Sequence, residues 1–378
     1  MDLKKNLVFY FLLLNALLLQ SQISNFNEKF VLPDAVKENS GLLFLNGKII
    51  THNDSGDAAN LYEIDSLSGN LLRTVAISNA TNIDWEDISE DEDHIYIADI
   101  GNNNGNRTDL KIYKILKSDF RNNTSVTAEE IGFSYEDQTD FSSQEDGSNF
   151  DAEAMVVYNN ALFIFTKNWQ DLQTNVYKVP LDPGNHSALK VSDANINGLI
   201  TGASLYNNNF LLCGYSNTLI PFVVHIGHDR TPGDDIFSSG FTKTSLEEEL
   251  EQGSQVEAII GFDAGKYYIS REYFSISLGG NNIVFPQKLY EFSDNRNQVL
   301  STHEYLKNTV VYPNPVVDIL QFNFPFNRIA IYNSLGIEVK NYQYHKNTID
   351  VSKFTKGTYF IVFHLENNTN RSVKILKK

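Results

Sequence analysis

The chain has 378 residues, a formal net charge of -17 and one cysteine. The acidic balance excludes nucleic acid as a partner, because phosphate recognition needs clustered Lys and Arg. One cysteine excludes an intrachain disulfide, so the fold must be held by its core. The chain carries 25 Phe and 19 Tyr, and beyond its apolar start it has no long segment with helical spacing. Composition therefore favours an all-β protein.

Residues 1–22 have the layout of a secretory signal peptide. Lys4 and Lys5 precede the apolar run Leu7–Leu19, and polar residues follow to Ser24. The apolar run is short for a membrane span, which leaves a signal anchor as the alternative. The only cysteine, Cys213, lies far downstream, so no lipid-modified cysteine can follow the signal. We predict export, with no transmembrane segment in the mature chain.

A weak internal repeat organises residues 28–293. Each copy has a carboxylate, then a small or acidic residue, then apolar residues. Three clear copies and two degenerate copies begin, in chain order, at Glu38, Trp85, Asp151, Thr201 and Gln255. Their spacing of roughly 50 to 65 residues is typical of propeller blades.

Two further strand-like segments follow each copy of the repeat. The fifth copy lacks an outer strand, and Lys29–Leu32 could supply it and close the ring, which would leave fewer free sheet edges. We predict a five-bladed β-propeller. Six blades are the alternative, because Glu129–Asp140 could be more than an outer strand. Gly233–Gly253 is predicted to be an acidic loop with one short helix.

The repeat also predicts a charged site at one face of the propeller. In an antiparallel blade, the start of the first strand and the end of the second lie at the same sheet edge. This geometry groups Glu38 with Asp54, Glu86 with Asp99, Glu153 with Lys167, and Glu257 with Arg271 and Glu272. Asn102, in a polar loop, is a further candidate ligand contact.

The predicted ring is mostly negative, with Lys167, Arg271 and Arg107 as partial counter-ions. Converging carboxylates raise one another's pKa unless a cation intervenes. Two interpretations stay open: a calcium ion held by oxygen ligands, or a self-satisfied network that locks the blades together. Calcium is the only cofactor candidate, and its candidate ligands are Asp54, Glu86, Glu153 and Glu257.

Catalytic motifs give little support for an enzyme. The sequence has no Gly-x-Ser-x-Gly elbow, no His-Glu-x-x-His pair and no phosphate-binding loop. His52 adjoins the predicted acidic face but has no positioned nucleophile, so we interpret it as a strand-end hydrogen-bonding residue. Cys213 is interpreted as a core residue. A binding role is therefore favoured over catalysis.

Several segments of the repeat together resemble propellers of the phytase-like and SdiA-regulated kind. The matching residues are Glu38–Gly41, Asn53–Gly56, Trp85–Ile88, Asp99–Asn102, Asp151–Ala154, Phe165–Asn168 and Val256–Ala258. The resemblance implies a propeller fold. It also implies an alternative function, that of a calcium-dependent phosphoesterase, which would make the chain a phosphoric-ester hydrolase.

Residues 309–378 are predicted to be a separate small domain after a polar linker at 294–308. Tyr312–Pro315 presets an extended entry, alternating segments such as Ile329–Ile331 follow, and the end Lys374–Lys378 is basic. The order of these motifs resembles the type A C-terminal sorting domain of type IX secretion cargo, a small Ig-like β-sandwich known from Bacteroidota. An Ig-like adhesion module is the alternative.

These resemblances lead to three functional hypotheses. The favoured one is a protein that is secreted or attached to the outer cell surface and binds a ligand or partner at an acidic propeller face. The type IX machinery would be its partner during export, through residues 309–378. The alternatives are the phosphoesterase and a non-catalytic surface scaffold or adhesin.

Overall fold

The computed structural model describes residues 23–226, 233–278, 281–294, 296, 311–322, 328–334, 336–343, 348–364 and 370–378. The chain divides into two compact units, residues 1–297 and 298–378. The predicted signal peptide and most of the predicted linker lie outside the described residues. Across the described ranges, no helix is both long and apolar enough to cross a membrane.

Strands make up most of the first unit. In chain order its elements are β1 (Ile23–Val31), a 3-10 turn (Asp34–Val36), β2 (Asn39–Leu45), β3 (Lys48–Asn53), β4 (Asn60–Asp65), β5 (Leu71–Ile77), β6 (Trp85–Glu90), β7 (His94–Asp99), β8 (Lys111–Leu116), α1 (Lys117–Asn122), β9 (Ser125–Val126), β10 (Glu129–Tyr135), β11 (Ala152–Tyr158), β12 (Ala161–Thr166), β13 (Thr174–Pro180), β14 (Gly184–Ala194), β15 (Leu199–Tyr206), β16 (Asn209–Tyr215), β17 (Pro221–Ile226), β18 (Phe241–Ser245), β19 (Val256–Asp263), β20 (Lys266–Arg271), β21 (Phe274–Leu278), β22 (Asn281–Phe285) and β23 (Lys288–Asp294).

Strand pairing arranges the first unit in antiparallel groups of four that follow the sequence repeat. The groups are β2-β3-β4-β5, β6-β7-β8-β10, β11-β12-β13-β14, β15-β16-β17-β18 and β19-β20-β23-β1. The outer strands β10 and β14 pair in parallel, so the second and third groups share one sheet. The strands β21 and β22 form a separate hairpin between β20 and β23.

The first strands of the groups contact one another in the closed order β2-β6-β11-β15-β19 and back to β2. A closed ring of radial sheets is a propeller, which confirms the predicted all-β fold. The ring is completed by the start of the chain, since β1 pairs with β23 from Ile23 opposite Asp294 to Val31 opposite Lys288. The closing strand is therefore longer, and begins earlier, than the predicted Lys29–Leu32.

The segment that suggested a sixth blade is the outer strand of the second group. Glu129–Tyr135 pairs with β8, and no further group arises from it in the described part of the chain. The grouping fits five blades. The apolar core lies between neighbouring groups, as where Leu43 and Ile50 of the first group pack near Trp85 and Ile88 of the second.

The two ends of the propeller differ in their connections. At one end the first and second strands of each group are joined by short turns, including Asn159-Asn160 and Asn207-Asn208, whose positive φ values are those of a type I′ turn. At the other end the connections are longer, notably residues 100–110 and 136–151. We call these ends the turn face and the loop face. Loops of the second kind are where binding residues concentrate.

The second unit is a small sandwich of two sheets. Its strands are β24 (Val311–Tyr312), β25 (Ile319–Phe322), β26 (Arg328–Asn333), β27 (Glu338–Gln343), β28 (Thr348–Asp350), β29 (Gly357–His364) and β30 (Asn370–Lys377). The sheets are β24-β25-β28 and β27-β26-β29-β30. Val316, Leu320, Ile331 and Ile361 share one buried core. The predicted sandwich at the C-terminus is thus present, with the basic end in its last strand.

Candidate functional site

A β-bulge recurs at the same place in the first strands, and in three groups its unpaired residue is a glutamate. The pairing of β6 with β7 passes from Trp85 to Asp87 and leaves Glu86 unpaired. Glu153 is unpaired in the same way in β11, and Glu257 in β19. A bulge interrupts the strict alternation of side chains and re-aims the extra residue. The three glutamates that the repeat singled out are therefore bulge residues at the loop face.

Hydroxyl residues stand at the corresponding place in the other two groups. Thr201 is the bulge residue of β15, and its Oγ1 donates to the carbonyl of Val256 on β19 at 2.5 Å. Ser40, near the start of β2, donates through Oγ to the carbonyl of Glu86 on β6. Both hydroxyls thus tie one first strand to the next. The repeat position carries a charge in three groups and a structural hydrogen bond in two.

The residue after the bulge is small in every group but one. It is Ala154 in β11, Gly202 in β15 and Ala258 in β19, and a Cβ on Gly202 would lie 2.8 Å from the carbonyl oxygen of Glu257. In β6 it is Asp87, whose carboxylate accepts hydrogen bonds from the backbone N–H groups of Ile88 at 2.8 Å and Met155 at 2.7 Å. Asp87 therefore links β6 and β11 near the axis.

Three carboxylates meet between the first and second groups at the loop face. One oxygen each of Asp54, Asp84 and Glu86 lie within 4.8 Å of one another. Gly101 permits this approach of the adjacent loop, because a Cβ there would lie 2.1 Å from Glu86 Oε1 and 2.4 Å from Asp84 Oδ2. We call Asp54, Asp84 and Glu86 the acid cluster.

One member of the acid cluster has a buried oxygen without a partner, and a second member is largely buried. Asp54 Oδ1 is buried with no hydrogen-bond partner. Glu86 is only 4% exposed, and no hydrogen bond to its carboxylate is found within the described residues. Leaving a buried charge without partners costs several kcal/mol in proteins. This arrangement is typical of a site completed by a ligand.

Another part of the loop face contains a lysine that pairs with a bulge glutamate. Lys167 Nζ contacts Glu153 Oε1 at 2.5 Å and lies 4.8 Å from the centre of the Trp169 ring and 5.4 Å from that of Tyr215. Burial alone would lower the pKa of Lys167, but the Glu153 carboxylate raises it, so the ammonium stays charged. Glu153 is thereby paired within the protein, whereas no ion pair is found for the acid cluster among the described residues.

Burial and mutual repulsion raise the pKa values of the carboxyl groups at the loop face. Burial, followed by the Asp151 charge, raises the pKa of Asp84 to about 6. Burial raises the pKa of Glu272 to about 7, against the opposing effect of Lys167. The pKa values of Asp54, Glu86 and Glu257 are also raised, first by burial and then by neighbouring carboxylates. The predicted acids from separate groups therefore lie close enough to influence one another.

Three other predicted site residues form hydrogen bonds or ion pairs with residues outside the acid cluster. Asp99 Oδ1 pairs with Arg107 Nη2 at 2.9 Å. Asn102 is a buried loop anchor, since its N–H donates to Asp151 and its Oδ1 accepts from the Arg107 N–H. Arg271 Nη1 donates to Glu251 and Ser254, so the expected partnership with Glu257 is replaced by one with the loop that precedes β19.

The remaining sequence-based interpretations concern residues at the margins of the site. Glu38 is exposed, although its charge contributes to the raised pKa of Glu272. His52 is fully buried with Nδ1 at 3.0 Å from the Asn53 carbonyl oxygen, and burial lowers its pKa to about 4. Cys213 is buried in the core. His52 and Cys213 thus have the structural roles that we expected.

Sequence reasoning missed Asp84, Asp87 and Asp151. Asp84 and Asp151 each lie two residues before a bulge glutamate, and Glu38 lies two residues before Ser40. This acid at a fixed offset is a repeat signal that could have revealed Asp84. No such signal marks Asp87, because the other groups have glycine or alanine there.

Comparisons with known proteins identify the C-terminal unit. Residues 310–378 match the family described as the secretion system C-terminal sorting domain, which confirms the resemblance noted from the sequence. Such a domain implies export to the cell surface or the medium. No match is found among curated proteins.

Solved structures similar to the chain include distant propeller-like proteins. The aldose sugar dehydrogenase of Streptomyces coelicolor, in its PQQ-bound form, is 10% identical with a TM-score of 0.41, over 71% of this chain and 98% of that one. PorZ, a surface component of the type IX secretion system of Porphyromonas gingivalis, is 11% identical with a TM-score of 0.33, over 90% of this chain and 45% of its own length.

Proposed function

We propose that this exported propeller is a binding protein that holds a hard divalent cation of the calcium type at its loop face, with Asp54, Asp84 and Glu86 as ligands. In this proposal the signal peptide at residues 1–22 starts export, and the type IX machinery completes it through residues 309–378. The proposal is carried by the buried Asp54 Oδ1, which has no hydrogen-bond partner, beside carboxylate oxygens of Asp84 and Glu86.

The donor set suits a hard cation. Calcium binds six to eight oxygens at 2.3–2.6 Å, so two oxygens on one ion lie at most about 5 Å apart. The 4.8 Å limit within the acid cluster is compatible with that distance. The donors are all carboxylate oxygens, which favours calcium or magnesium over softer metals.

A cation in the acid cluster would leave coordination positions for a second molecule. With one oxygen from each carboxylate, the three acids supply fewer oxygens than the six to eight that calcium takes, so the remaining positions are free for water or for oxygens of a ligand. Asp54 follows β3, whereas Asp84 and Glu86 belong to the start of the second group. A cation would therefore connect two blades and present a binding position at the loop face.

Calorimetric titration of the metal-free full chain with calcium at pH 8 tests the proposal. We expect saturable binding that Glu86→Gln weakens at least tenfold, about 1.4 kcal/mol. Glu38→Gln is the matched control, because this exposed acid lies at the same face outside the cluster, and its effect should be small. Absence of binding by calcium and magnesium in the native chain would refute the proposal.

The same titration should depend on pH. Cation binding requires ionised carboxylates, and the pKa of Asp84 is raised to about 6. Protons therefore compete with the cation below that pKa, and the affinity should rise from pH 5 to pH 8 with proton release. An affinity that falls over this range would contradict the assignment of Asp84 as a ligand.

The stability of the metal-free protein separates the proposal from the blade-locking network. If the acid cluster awaits a cation, Glu86→Gln removes a buried carboxyl group that interacts unfavourably with its acidic neighbours, and it should raise the melting temperature in chelator. A network would lose a needed partner and melt at a lower temperature. The triple substitution of Glu86, Glu153 and Glu257 by Gln is less selective, because Glu153 already pairs with Lys167.

A further inference from the structure

A second cavity lies on the propeller axis at the turn face. It has a volume of about 270 Å³ and is lined by the last residues of all five first strands. The strand β6 runs from Glu86 at the loop face to Glu90 in this cavity, a separation of roughly 13 Å at about 3.3 Å per residue. The cavity is therefore distinct from the acid cluster.

Three aromatic residues are among the residues that line this cavity. Phe44, Tyr206 and Phe262 come from three different groups, and Phe262 stacks on Tyr268 with ring centres 4.0 Å apart. Gly261 lets Tyr206 lie against the strand, because a Cβ there would be 2.4 Å from Tyr206 Cβ. These rings offer a rigid apolar surface in the cavity at the turn face.

Two serines add hydrogen-bond donors to the same cavity. Ser204 Oγ accepts the N–H of Gly261 at 2.9 Å, and Ser89 Oγ accepts the N–H of Val157 at 3.0 Å. A hydroxyl that accepts from the backbone keeps its own proton for donation. Ser204 is 1% exposed, so its free donor has few partners other than a molecule in the cavity.

The charge at this end is already paired. Glu90 Oε2 lies 2.7 Å from Lys117 Nζ, so the cavity presents apolar rings and hydroxyl donors without an unmatched charge among its described lining residues. A charged ligand would lack a counter-ion there. A purely apolar ligand would leave the serine donors unsatisfied, which is costly when they are buried.

We propose that the turn-face cavity binds one neutral sugar unit, with the sugar's apolar face on the aromatic wall and its oxygens accepting from Ser89 and Ser204. The cavity lies near the small end of the range for ligand pockets, which suits a monosaccharide unit. An exported protein meets such units in glycans outside the cell. This proposal is independent of the cation site.

Saturation-transfer NMR of the full chain with glucose, galactose, mannose and N-acetylglucosamine tests the inference. We expect transfer to at least one of these sugars at millimolar concentration, with competition among those that bind. Leu205→Trp should fill the cavity and weaken binding at least tenfold. Leu67→Trp is the matched control, since Leu67 is 85% exposed and lies outside the cavity lining, and it should bind as the native chain does.

Two further variants keep the test decisive. Ser89→Ala removes one donor at a half-buried position and should weaken binding several-fold, even if Leu205→Trp fails to fold. Glu38→Gln should leave sugar binding unchanged, because this exposed acid lies at the loop face and outside both proposed sites. The inference is overturned if none of the four sugars receives saturation, or if binding survives both cavity substitutions in folded protein.

Discussion

Asp87 shows how one residue can hold two neighbouring blades together. It occupies the place of glycine or alanine in the other first strands, and its carboxylate accepts N–H groups from Ile88 and Met155. Asp87→Ala would leave these buried donors unsatisfied, at about 1–3 kcal/mol each. We expect the free energy of unfolding, measured by urea denaturation, to fall by at least about 2 kcal/mol.

Asp93→Ala provides the comparison for that measurement. Asp93 lies exposed in the turn between β6 and β7, so its truncation should change stability by less than about 0.5 kcal/mol. If Asp87→Ala were as stable as Asp93→Ala, the carboxylate could not be an important link between the blades.

Some of the acidic residues at the loop face could be predicted from the sequence. Glu86, Glu153 and Glu257 followed from the repeat, since the chemistry of that position recurs at regular spacing. The side-chain position of Arg271 did not follow from the repeat. Strand pairing fixes the position of the backbone, but it does not fix the direction of a long side chain. The Arg271 guanidinium instead donates to Ser254 Oγ at 2.9 Å and to Glu251, a contact set by the preceding loop.

At the scale of the element, the bulge was the feature that alternation could not reveal. Regular alternation would point Glu86 and Asp87 to opposite faces of β6. The skipped pairing at Glu86 changes this geometry, and both side chains are buried near the axis. Nothing in the sequence around Trp85–Ile88 marks a bulge, because the backbone adapts to contacts between neighbouring blades.

Two other elements depart from the sequence-based expectations. Gly233–Gly253 contains the outer strand β18 (Phe241–Ser245), which was not predicted. The acidic part after it, where a short helix was considered, forms a single turn in which the Leu250 N–H donates to the Leu246 carbonyl at 2.7 Å. The residues of β18 are mostly exposed and show no clear alternation of polar and apolar side chains. The pairing of β18 with β17 therefore decides its conformation. The hairpin β21-β22 was also missed, because it is an insertion that no other blade repeats.

The closing strand β1 leads to a prediction about the ring. Ile23 is 2% exposed and belongs to the core that includes Leu211, Val223 and Phe292. Truncating a buried Ile to Ala typically costs about 2–5 kcal/mol. We expect Ile23→Ala to lower the free energy of unfolding by about 2 kcal/mol or more in urea denaturation.

The control for ring closure lies on the same strand. Glu28 pairs with Lys288 at 2.7 Å but is exposed, so Glu28→Ala should cost less than about 1 kcal/mol. Equal effects of the two substitutions would mean that β1 contributes little through its core contact, and that the ring is held by its other interfaces.

At the scale of the whole molecule, the first unit has opposite ends with different chemistry. The loop face has unpaired carboxylates, and the turn face has aromatic rings and hydroxyl donors. Between these two ends, along the axis, the first strands pack closely at small residues such as Gly202. The carboxylate of Asp87 lies in the same region. The two proposed ligands can therefore bind without sharing a residue, and substitutions at one face should leave the other intact.

The division of the chain predicts that folding and sorting can be separated. Each unit has its own core, the first in the ring of blades and the second around Leu320, Ile331 and Ile361. Removing residues 298–378 should leave a body with a cooperative thermal transition. It should also abolish surface exposure or release, because residues 310–378 form the sorting domain.

Cell fractionation and protease accessibility on intact cells would measure this separation, with the melting of the purified truncated body as the folding control. A folded body retained in the periplasm is the expected result, because the signal for the final export step is lost while the ring still closes through β1 and β23. Surface display equal to that of the full chain would show that another part of the protein directs export. A truncated body without a cooperative transition would show that the first unit needs the second to fold, against the separate cores of the two units.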